Sequence, residues 1–230
     1  MNKQEFLEYY YKSLLLGLDI IIDGAIYVVL DDDIVVLKSY DENYQDENIV
    51  IPEFVDVIGS NCFYNNHKIK EIHLSNVSKI EENAFDSSGI HFVLDSNNLK
   101  YIANGAFRFS ELEYIDLSTV DVIEKRAFSG CHNLKNVVFK DDVYIGKYSF
   151  KNTGLYSIKL KTKLLYKDTF SFCFNLLSVN IEADLIQDKV FDNCFGLKYA
   201  FVSSNCIVED KLLYKILNGN NDINNNKIGI

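Results

Sequence analysis

The chain has 230 residues, of which 48% are hydrophobic and 24% are charged, and its formal net charge is −10 at pH 7. This hydrophobic content excludes a disordered chain and is ample for a continuous core, while the acidic balance argues against a nucleic-acid-binding surface. With 16 Phe, 15 Tyr and one Pro, the composition favours short strands over helices, and we expect a mainly β protein.

The first segment, residues 1–48, is predicted to be an acidic N-terminal cap made of a helix and a β-hairpin. Leu7 and Leu14 belong to a set of apolar residues at helical spacing, and the hairpin runs from Ala25 to Tyr40. Its turn holds an acidic patch of three adjacent carboxylates, Asp31, Asp32 and Asp33. These residues lack the alternating ligands and the turn glycine of an EF-hand loop, and we expect no bound metal.

The charge of the chain is concentrated at its start. Residues 1–56 contain 13 acidic residues and 3 lysines, whereas residues 57–230 contain 20 acidic and 20 basic residues. A solvated end-cap without a partner is the favoured interpretation. The other interpretation is a field that attracts a basic partner within a Debye length of about 8 to 10 Å.

The central segment, residues 49–208, repeats with a short period. Seven phenylalanines follow one another at intervals of 20 to 22 residues, and an Ile or Leu stands five residues before each: Phe63, Phe85, Phe107, Phe128, Phe150, Phe170 and Phe191. Two apolar ladders at one period indicate a solenoid, in which each unit buries its apolar side only by stacking on its neighbours.

The stretches IEENAFDSSGI, IANGAFRFSELEYIDL and IEKRAFSGCHNLKNVVF resemble the BspA-type leucine-rich repeat, written loosely as IxxxAFxxCxxLxxIxL. The resemblance covers about residues 49–208 and implies a right-handed leucine-rich-repeat solenoid of about seven repeats. The segment DGAIYVVLDDDIVVLKSY is similar to the β-hairpin that often opens such arrays. Members of this family are best known as surface or secreted binding proteins, which implies a binding role.

The five cysteines are odd in number and contain no CxxC pair, which predicts neither a disulfide framework nor a zinc site. Cys131, Cys173 and Cys194 occupy one equivalent repeat position, where the resemblance implies a buried cysteine. We expect reduced thiols stacked in the core.

The last segment, residues 209–230, is predicted to be a C-terminal cap and a polar tail. LLYKIL continues the apolar pattern for half a repeat, and NGNNDINNNK is polar and is expected to be flexible on its own.

Sequence patterns of catalysis are missing from the chain. The four histidines are scattered over three repeats, and no GxSxG, HExxH or Walker A motif occurs: His67, His73, His91 and His132. Cys131 and His132 are adjacent, but neighbouring side chains on a turn or strand point apart. We expect no enzyme activity and no cofactor.

The strand alternation in segments such as YIDL and SIKL places two columns of side chains on the outside of the solenoid. Exposed aromatic and apolar side chains cluster in these columns and mark an interaction surface. The predicted partner-binding residues are Phe92, Leu94, Tyr114, Asp116, Val138, Tyr199 and Phe201. An alternative stays open, because Asp95 stands where other repeats have Leu, and a local slip would turn Phe92 and Leu94 inward.

The leading hypothesis is a non-catalytic scaffold that presents one solenoid face to another protein, with no direct contact to nucleic acid or membrane. A second is an acidic inhibitor of a nucleic-acid-binding or defence protein, of the phage anti-defence or anti-CRISPR type, and a third is a cell-surface adhesin or antigen. The start of the chain lacks the pattern of a secretory signal. We therefore expect a cytoplasmic protein as written, or an extracellular one if a signal peptide was removed, with the oligomeric state open.

Overall fold

The computed structural model describes residues 1–15, 20–41, 43 and 46–219. Within them the chain forms an N-terminal helix, a hairpin, a β-solenoid of about eight turns and a C-terminal helix. The mainly β solenoid predicted from the repeats is confirmed. The polar tail, from residue 220 onward, lies outside the described residues. None of the described helices is long and apolar enough to cross a membrane.

The N-terminal elements are helix α1 (Lys3–Leu15), strands β1 (Ile21–Ile22) and β2 (Ala25–Val29), a 3₁₀ turn (Asp31–Asp33) and strand β3 (Val35–Tyr40). Helix α1 begins with a reciprocal cap, because Asn2 Oδ1 accepts the Glu5 N–H at 3.0 Å and Glu5 Oε2 accepts the Asn2 N–H at 3.0 Å. Phe6 of this helix stacks on Phe54 with ring centroids 4.3 Å apart. The helix therefore closes the N-terminal end of the core.

Each turn of the solenoid contributes a longer strand to one surface, called here the sheet face, and a two-residue strand to another, called the turn face. The sheet-face strands are β4 (Asn48–Val50), β6 (Glu71–His73), β8 (Phe92–Leu94), β10 (Tyr114–Leu117), β12 (Asn136–Phe139), β14 (Ser157–Lys161), β16 (Ser178–Glu182) and β18 (Tyr199–Val202). The turn-face strands are β5 (Val57–Ile58), β7 (Lys79–Ile80), β9 (Tyr101–Ile102), β11 (Val122–Ile123), β13 (Tyr144–Ile145), β15 (Leu164–Leu165), β17 (Leu185–Ile186) and β19 (Ile207–Val208).

Backbone pairing divides each surface into two blocks. On the sheet face β4 to β12 form one parallel block and β14, β16 and β18 form another, so the pairing breaks between β12 and β14. The turn-face block that ends at β13 begins with the hairpin, because β3 pairs in parallel with β5. The hairpin and the first repeats therefore share one sheet. The predicted boundary between cap and solenoid at residue 48 stays a prediction.

The connection from each turn-face strand to the next sheet-face strand contains the core Phe and two residues with positive φ, placed two positions before and two positions after it. Around Phe85 these are Asn83 (φ 54°) and Ser87 (φ 58°). In the next turn the second position holds Phe109 (φ 57°), a bulky residue for this conformation. Its ring lies over Gly130, where an added Cβ would meet a ring carbon at 2.3 Å. The Phe109 ring therefore leaves no room for a Cβ at residue 130, where other repeats carry a side chain at the same positive φ.

Backbone hydrogen bonds tie these connections together in two directions. The Phe85 N–H donates to the carbonyl of Ala106 in the next turn at 2.7 Å, whereas the Ser88 N–H donates to the Phe85 carbonyl within the same turn at 3.2 Å. These two kinds of bond alternate, so the backbone N–H groups of the connection find acceptors although the segment is neither helix nor sheet.

The repeated phenylalanines form one continuous column in the core. All seven are at most 1% exposed, and their rings stack with successive centroids 5.0, 5.0, 5.2, 5.0, 5.4 and 5.7 Å apart. The column runs across the break between β12 and β14, because the Phe128 and Phe150 rings are 5.0 Å apart. The core is therefore continuous where the backbone pairing is not.

A second buried column consists of small polar side chains, three residues after each core Phe: Asn66, Ser88, Ser110, Cys131, Thr153, Cys173 and Cys194. Cys131 Sγ donates to the Phe107 carbonyl at 2.9 Å, and Cys194 Sγ donates to the Phe170 carbonyl at 3.0 Å. A thiol fits this position because it is small, largely apolar and a weak donor. The three equivalent cysteines are thus buried as predicted, whereas Cys206 is half-buried.

The C-terminal cap differs from the half-repeat predicted for LLYKIL, which is wrong: residues Lys211–Gly219 form helix α2. Leu213, Ile216 and Leu217 recur at helical spacing, and all three pack on the core. Asp210 caps this helix, because its Oδ1 accepts the Leu213 N–H at 2.9 Å. The last turn of the solenoid is therefore covered by a helix.

Candidate functional site

The register of the sheet face determines which side chains of β8 point outward. Phe92 pairs with Glu71 of β6 and with Tyr114 of β10. The next residue of β8, Val93, is 3% exposed and faces the core. The slip considered for this repeat does not occur. Its signal, Asp95, lies just beyond the strand with φ 53°, where the chain turns away from the sheet.

Four apolar side chains lie together on the outside of β8, β10 and β12, and we call them the sheet-face patch: Phe92, Leu94, Tyr114 and Val138. Phe92 and Tyr114 are each 38% exposed and Val138 is 46% exposed. Asp116 pairs with Val138 and is half-buried, and its Oδ1 accepts the Ser118 N–H at 2.8 Å. The predicted residues of these three strands are therefore neighbours.

One edge of the patch carries a histidine held between two carboxylates. His73 pairs with Leu94 in the sheet, and its ring nitrogens lie 2.6 Å from Asp95 Oδ2 and 3.0 Å from Glu71 Oε1. Hydrogen bonds to Asp95 and Glu71 raise the pKa of His73 above its ordinary value. This side of the patch is therefore a polar network with a surplus of carboxylate.

A second histidine, His91, directly precedes β8 and is also held between two carboxylates. His91 Nδ1 lies 2.8 Å from Glu113 Oε1, and His91 Nε2 lies 3.1 Å from Glu111 Oε2. The His91 ring is 6.2 Å from that of Phe92. Together with Glu71 and Asp95, these carboxylates give the sheet-face patch an acidic rim.

Two of the predicted partner-binding residues, Tyr199 and Phe201, lie apart from the sheet-face patch. They are exposed on β18, where they pair with Ser178 and Asn180 of β16. Two strands with polar outer residues, β14 and β16, separate them from β12, and the break in pairing lies in the same interval. The seven residues therefore form two groups.

The acidic patch lies at the turn of the hairpin and not on the sheet face. Asp31, Asp32 and Asp33 are all exposed, and Asp32 and Asp33 have positive φ. The Tyr11 hydroxyl donates to Asp33 Oδ1 at 2.7 Å, and this hydrogen bond raises the pKa of Tyr11. Among the described residues, no group of three His, Cys, Asp or Glu side chains is arranged to hold a metal ion.

Sequence reasoning missed a second exposed apolar surface, the aromatic edge, defined as Tyr156, Phe172, Phe174, Leu177 and Phe195. The Phe174 ring lies 6.1 Å from Phe172 and 6.2 Å from Phe195. Alignment of the repeats on the core Phe would have revealed it: the fourth residue after the core Phe is Phe174 and Phe195 in the last two turns, where earlier turns have His67, Gly89, Glu111, His132 and Gly154.

The adjacent Cys131 and His132 do not form a catalytic pair. The Cys131 thiol is fully buried and its Sγ is hydrogen-bonded to a core carbonyl, whereas His132 is exposed. Burial raises the pKa of the Cys131 thiol to about 12, which keeps it protonated. This geometry supports packing and not nucleophilic chemistry.

Comparison with solved structures places the fold among bacterial repeat proteins. The crystal structure of a T. pallidum leucine-rich repeat protein is similar with a TM-score of 0.51 and 18% identity, over 87% of this chain and 95% of that chain. The pneumococcal vaccine antigen PcpA is similar with a TM-score of 0.51 and 17% identity, over 82% of this chain and 48% of that chain. The chain thus spans about half the length of that antigen. These identities show the fold alone.

Comparison with curated proteins gave no match. The model of the BspA type leucine-rich repeat region, in contrast, matches with six copies over residues 38–155 and 100–217, which together include most of the chain. The repeated Phe column and the two strand surfaces agree with this assignment. The chain therefore belongs to the family of BspA-type leucine-rich repeat proteins.

Proposed function

We propose that this protein is a non-catalytic scaffold that holds another protein against the sheet-face patch. The observation that carries the proposal is the register of β8, β10 and β12, which sets Phe92, Tyr114 and Val138 on the outside of consecutive strands. Phe92 and Tyr114 pair directly on strands that lie about 4.8 Å apart. Val138 pairs with Asp116 and lies diagonally from Tyr114, within reach of its ring. Contiguous apolar surface with a polar rim is typical of protein interfaces.

Tyr114 is the expected anchor of this interface. It lies on the central strand of the patch, between Phe92 on one side and Asn136 on the other. Its 38% exposure leaves side-chain surface for a partner to cover. Central tyrosines of this kind often dominate binding energy, because they bury a large rigid surface and keep a polar end.

The rim favours a partner that carries basic residues around an apolar side chain. Glu71, Asp95, Glu111 and Glu113 border the patch. Lys70 Nζ, 3.6 Å from Glu111 Oε2, and His73, whose pKa is raised by Asp95 and Glu71, offset part of this charge. The acidic cap adds a long-range field of the same sign. Complementary charge of this kind raises the association rate and selects among partners more than it adds affinity.

The covered ends of the solenoid support binding through a side. Helix α1 covers one end through Phe6, and helix α2 covers the other through Leu213, and both residues are fully buried. Because both ends of the solenoid are covered, a partner would bind its extended side, as is usual for solenoid proteins.

A capture experiment tests the proposal. Wild-type protein, Tyr114→Ala and the control Tyr64→Ala are immobilised and exposed to native extract, and bound proteins are quantified by mass spectrometry. Tyr64 is 53% exposed and lies outside the sheet face, so its truncation removes a comparable side chain elsewhere. We expect one protein that wild type and Tyr64→Ala retain and Tyr114→Ala loses. A partner retained equally by all three would remove the sheet-face patch from the proposal.

An acidic inhibitor is the alternative favoured by the charge of residues 1–56. In that role the exposed Asp31, Asp32 and Asp33 imitate phosphates and occupy a basic groove. Affinity would then fall steeply with salt, because counterions compete for the groove. An apolar interface anchored by Tyr114 keeps most of its affinity under the same change.

A cell-surface adhesin or antigen is a further alternative, suggested by the fold that the chain shares with the pneumococcal antigen. Protease treatment of intact source cells tests it. Digestion of the protein on intact cells supports a surface role, whereas digestion only after lysis excludes it.

A further inference from the structure

We infer that the aromatic edge is a docking site for a second copy of this chain, which inserts its hairpin tip there. The hairpin tip is defined as residues 30–34. The contact joins different surfaces of the two copies, so it is distinct from the sheet-face patch and does not depend on the function proposed above.

The aromatic edge exposes more apolar surface than the sheet-face patch. Phe195 is 78% exposed, Phe174 is 52% exposed, and Tyr156 and Leu177 are 49% and 44% exposed. The Phe174 and Phe195 rings stack nearly parallel on two adjacent turns, with 19° between their planes. Water in contact with such a surface is released when a partner covers it.

Lysines border the aromatic edge. Backbone bonds place Lys135, Tyr156, Leu177 and Lys198 in one column, because each N–H after the first donates to the carbonyl of the preceding member at 3.3, 2.8 and 3.0 Å. Lys151 Nζ lies 4.9 Å from the centre of the Phe172 ring. Residues 143–208 contain eight lysines and five acidic residues, and one of the acidic residues, Asp192, accepts the Phe172 N–H through its backbone carbonyl at 2.8 Å. The edge is therefore an apolar surface whose surroundings carry a net positive charge.

The hairpin tip is complementary in both respects. Leu30 and Ile34 are 51% and 37% exposed, and the three exposed carboxylates of the acidic patch lie between them. The Leu30 N–H donates to the Ile34 carbonyl at 2.8 Å and holds the tip closed. Apolar flanks with an acidic centre match apolar rings with lysines around them.

The tip and the edge of one molecule do not meet each other. The hairpin joins the first turn of the solenoid through β3, whereas the edge belongs to the last three turns. At about 4.8 Å per strand, the intervening turns separate them by about 30 Å. The contact is therefore between copies. Because it joins unlike surfaces, a dimer keeps one free tip on one copy and one free edge on the other, so association continues head to tail.

Sedimentation of mixed variants tests this arrangement. The tip variant carries Asp31→Asn, Asp32→Asn and Asp33→Asn, the edge variant carries Phe174→Ser and Phe195→Ser, and Tyr214→Ala is the control on the 60% exposed Tyr214. Wild type and the control should grow in mass with concentration at low salt and less so at high salt. Each of the two docking variants alone should associate at least about thirtyfold more weakly. Mixed together, they should form dimers that grow no further, because one intact tip meets one intact edge.

Two further measurements distinguish head-to-tail docking from a loss of folding and from use of the sheet-face patch. Unchanged thermal melting of both variants shows that folding is intact, and Tyr114→Ala should associate as wild type does, because the sheet-face patch is not involved. A wild-type chain that stays monomeric at millimolar concentration in low salt would overturn the proposal. Mixed variants that form no dimer would also overturn it. Binding of wild type, but not of the edge variant, to anionic phosphatidylserine vesicles without self-association would assign the edge to a membrane surface instead.

Discussion

Asp210 Oδ2 accepts the backbone N–H of Phe191 at 2.9 Å. In each earlier repeat the N–H of the core Phe donates instead to a carbonyl of the following turn, as Phe170 does to Val190 at 3.0 Å. In the part of the chain that the structure describes, helix α2 and not another repeat follows the turn of Phe191, and the carboxylate takes the place of the carbonyl. Asp210 also caps helix α2. One side chain therefore terminates the repeat array and begins the helix that covers its last turn.

Replacement of Asp210 should therefore destabilise the protein through its C-terminal end. Asp210→Ala removes the helix cap and leaves the buried Phe191 N–H without an acceptor, which should cost about 1 to 3 kcal/mol. Denaturant unfolding measures the loss. The neighbouring exposed carboxylate provides the control, and Glu209→Ala should change stability by less than about 0.5 kcal/mol. Equal effects of the two variants would show that Asp210 does not terminate the solenoid.

The Phe column should make the largest single contribution to stability. Phe128 is fully buried between Phe107 and Phe150, so Phe128→Ala should cost about 3 to 5 kcal/mol by lost transfer energy and an added cavity. Phe195→Ala is the matched control on a ring that is 78% exposed, and it should change stability little. The same unfolding assay compares them, and an unchanged midpoint for Phe128→Ala would contradict the stacked core.

The cysteines should differ in reactivity according to burial. Cys62 and Cys131 are buried, and burial raises the pKa of both thiols, so native labelling should be slow. Cys206 is half-buried and should react first, although burial raises its pKa as well. Labelling followed by peptide mass spectrometry gives the order. Fast modification of Cys131 before Cys206 would show that the core opens near the middle of the array.

The hydrogen bonds from His73 to Asp95 and Glu71 should make the stability of the fold depend on pH. Its pKa is raised by Asp95 and Glu71, so the folded state holds the proton more tightly than the unfolded state does. The stabilisation is present in full below the ordinary His pKa of 6.5 and is lost as pH rises through the raised value. The melting-temperature difference between wild type and His73→Gln should accordingly be largest at acid pH and shrink at alkaline pH. A melting-temperature difference that grows with pH would contradict stabilisation by these hydrogen bonds.

The repeats predicted the solenoid because one apolar residue type returns at a fixed interval, and only stacking buries such a series. Ile72, Val93 and Ile115 alternate with outward residues, so the outside of β6, β8 and β10 was predictable too. The period alone did not predict helix α2. The spacing of Leu213, Ile216 and Leu217 fits a helix, whereas the repeat pattern before them favours another strand. The cap that Asp210 provides favours the helix.

The aromatic edge was not predicted because its residues lie outside the strand alternation. Phe174 and Phe195 occupy irregular backbone before the strands, where no two-residue period shows which side chains face solvent. Their spacing of 21 residues is visible only after the repeats are aligned on the core Phe. Similarly, the separation of Tyr199 and Phe201 from Tyr114 depends on the polar outer residues of β14 and β16, which the apolar residues alone do not show.

The affinity of Tyr114→Ala for the captured partner, measured beside a combined Asp31→Asn, Asp32→Asn and Asp33→Asn variant at low and high salt, tests the central claim most directly. Loss of a central aromatic anchor should weaken binding at least about thirtyfold at both salt concentrations, because an apolar contact is not screened. The Asp variant should mainly slow association, and only at low salt. If the Asp variant abolishes binding and Tyr114→Ala binds as wild type does, the sheet-face patch is not the binding surface.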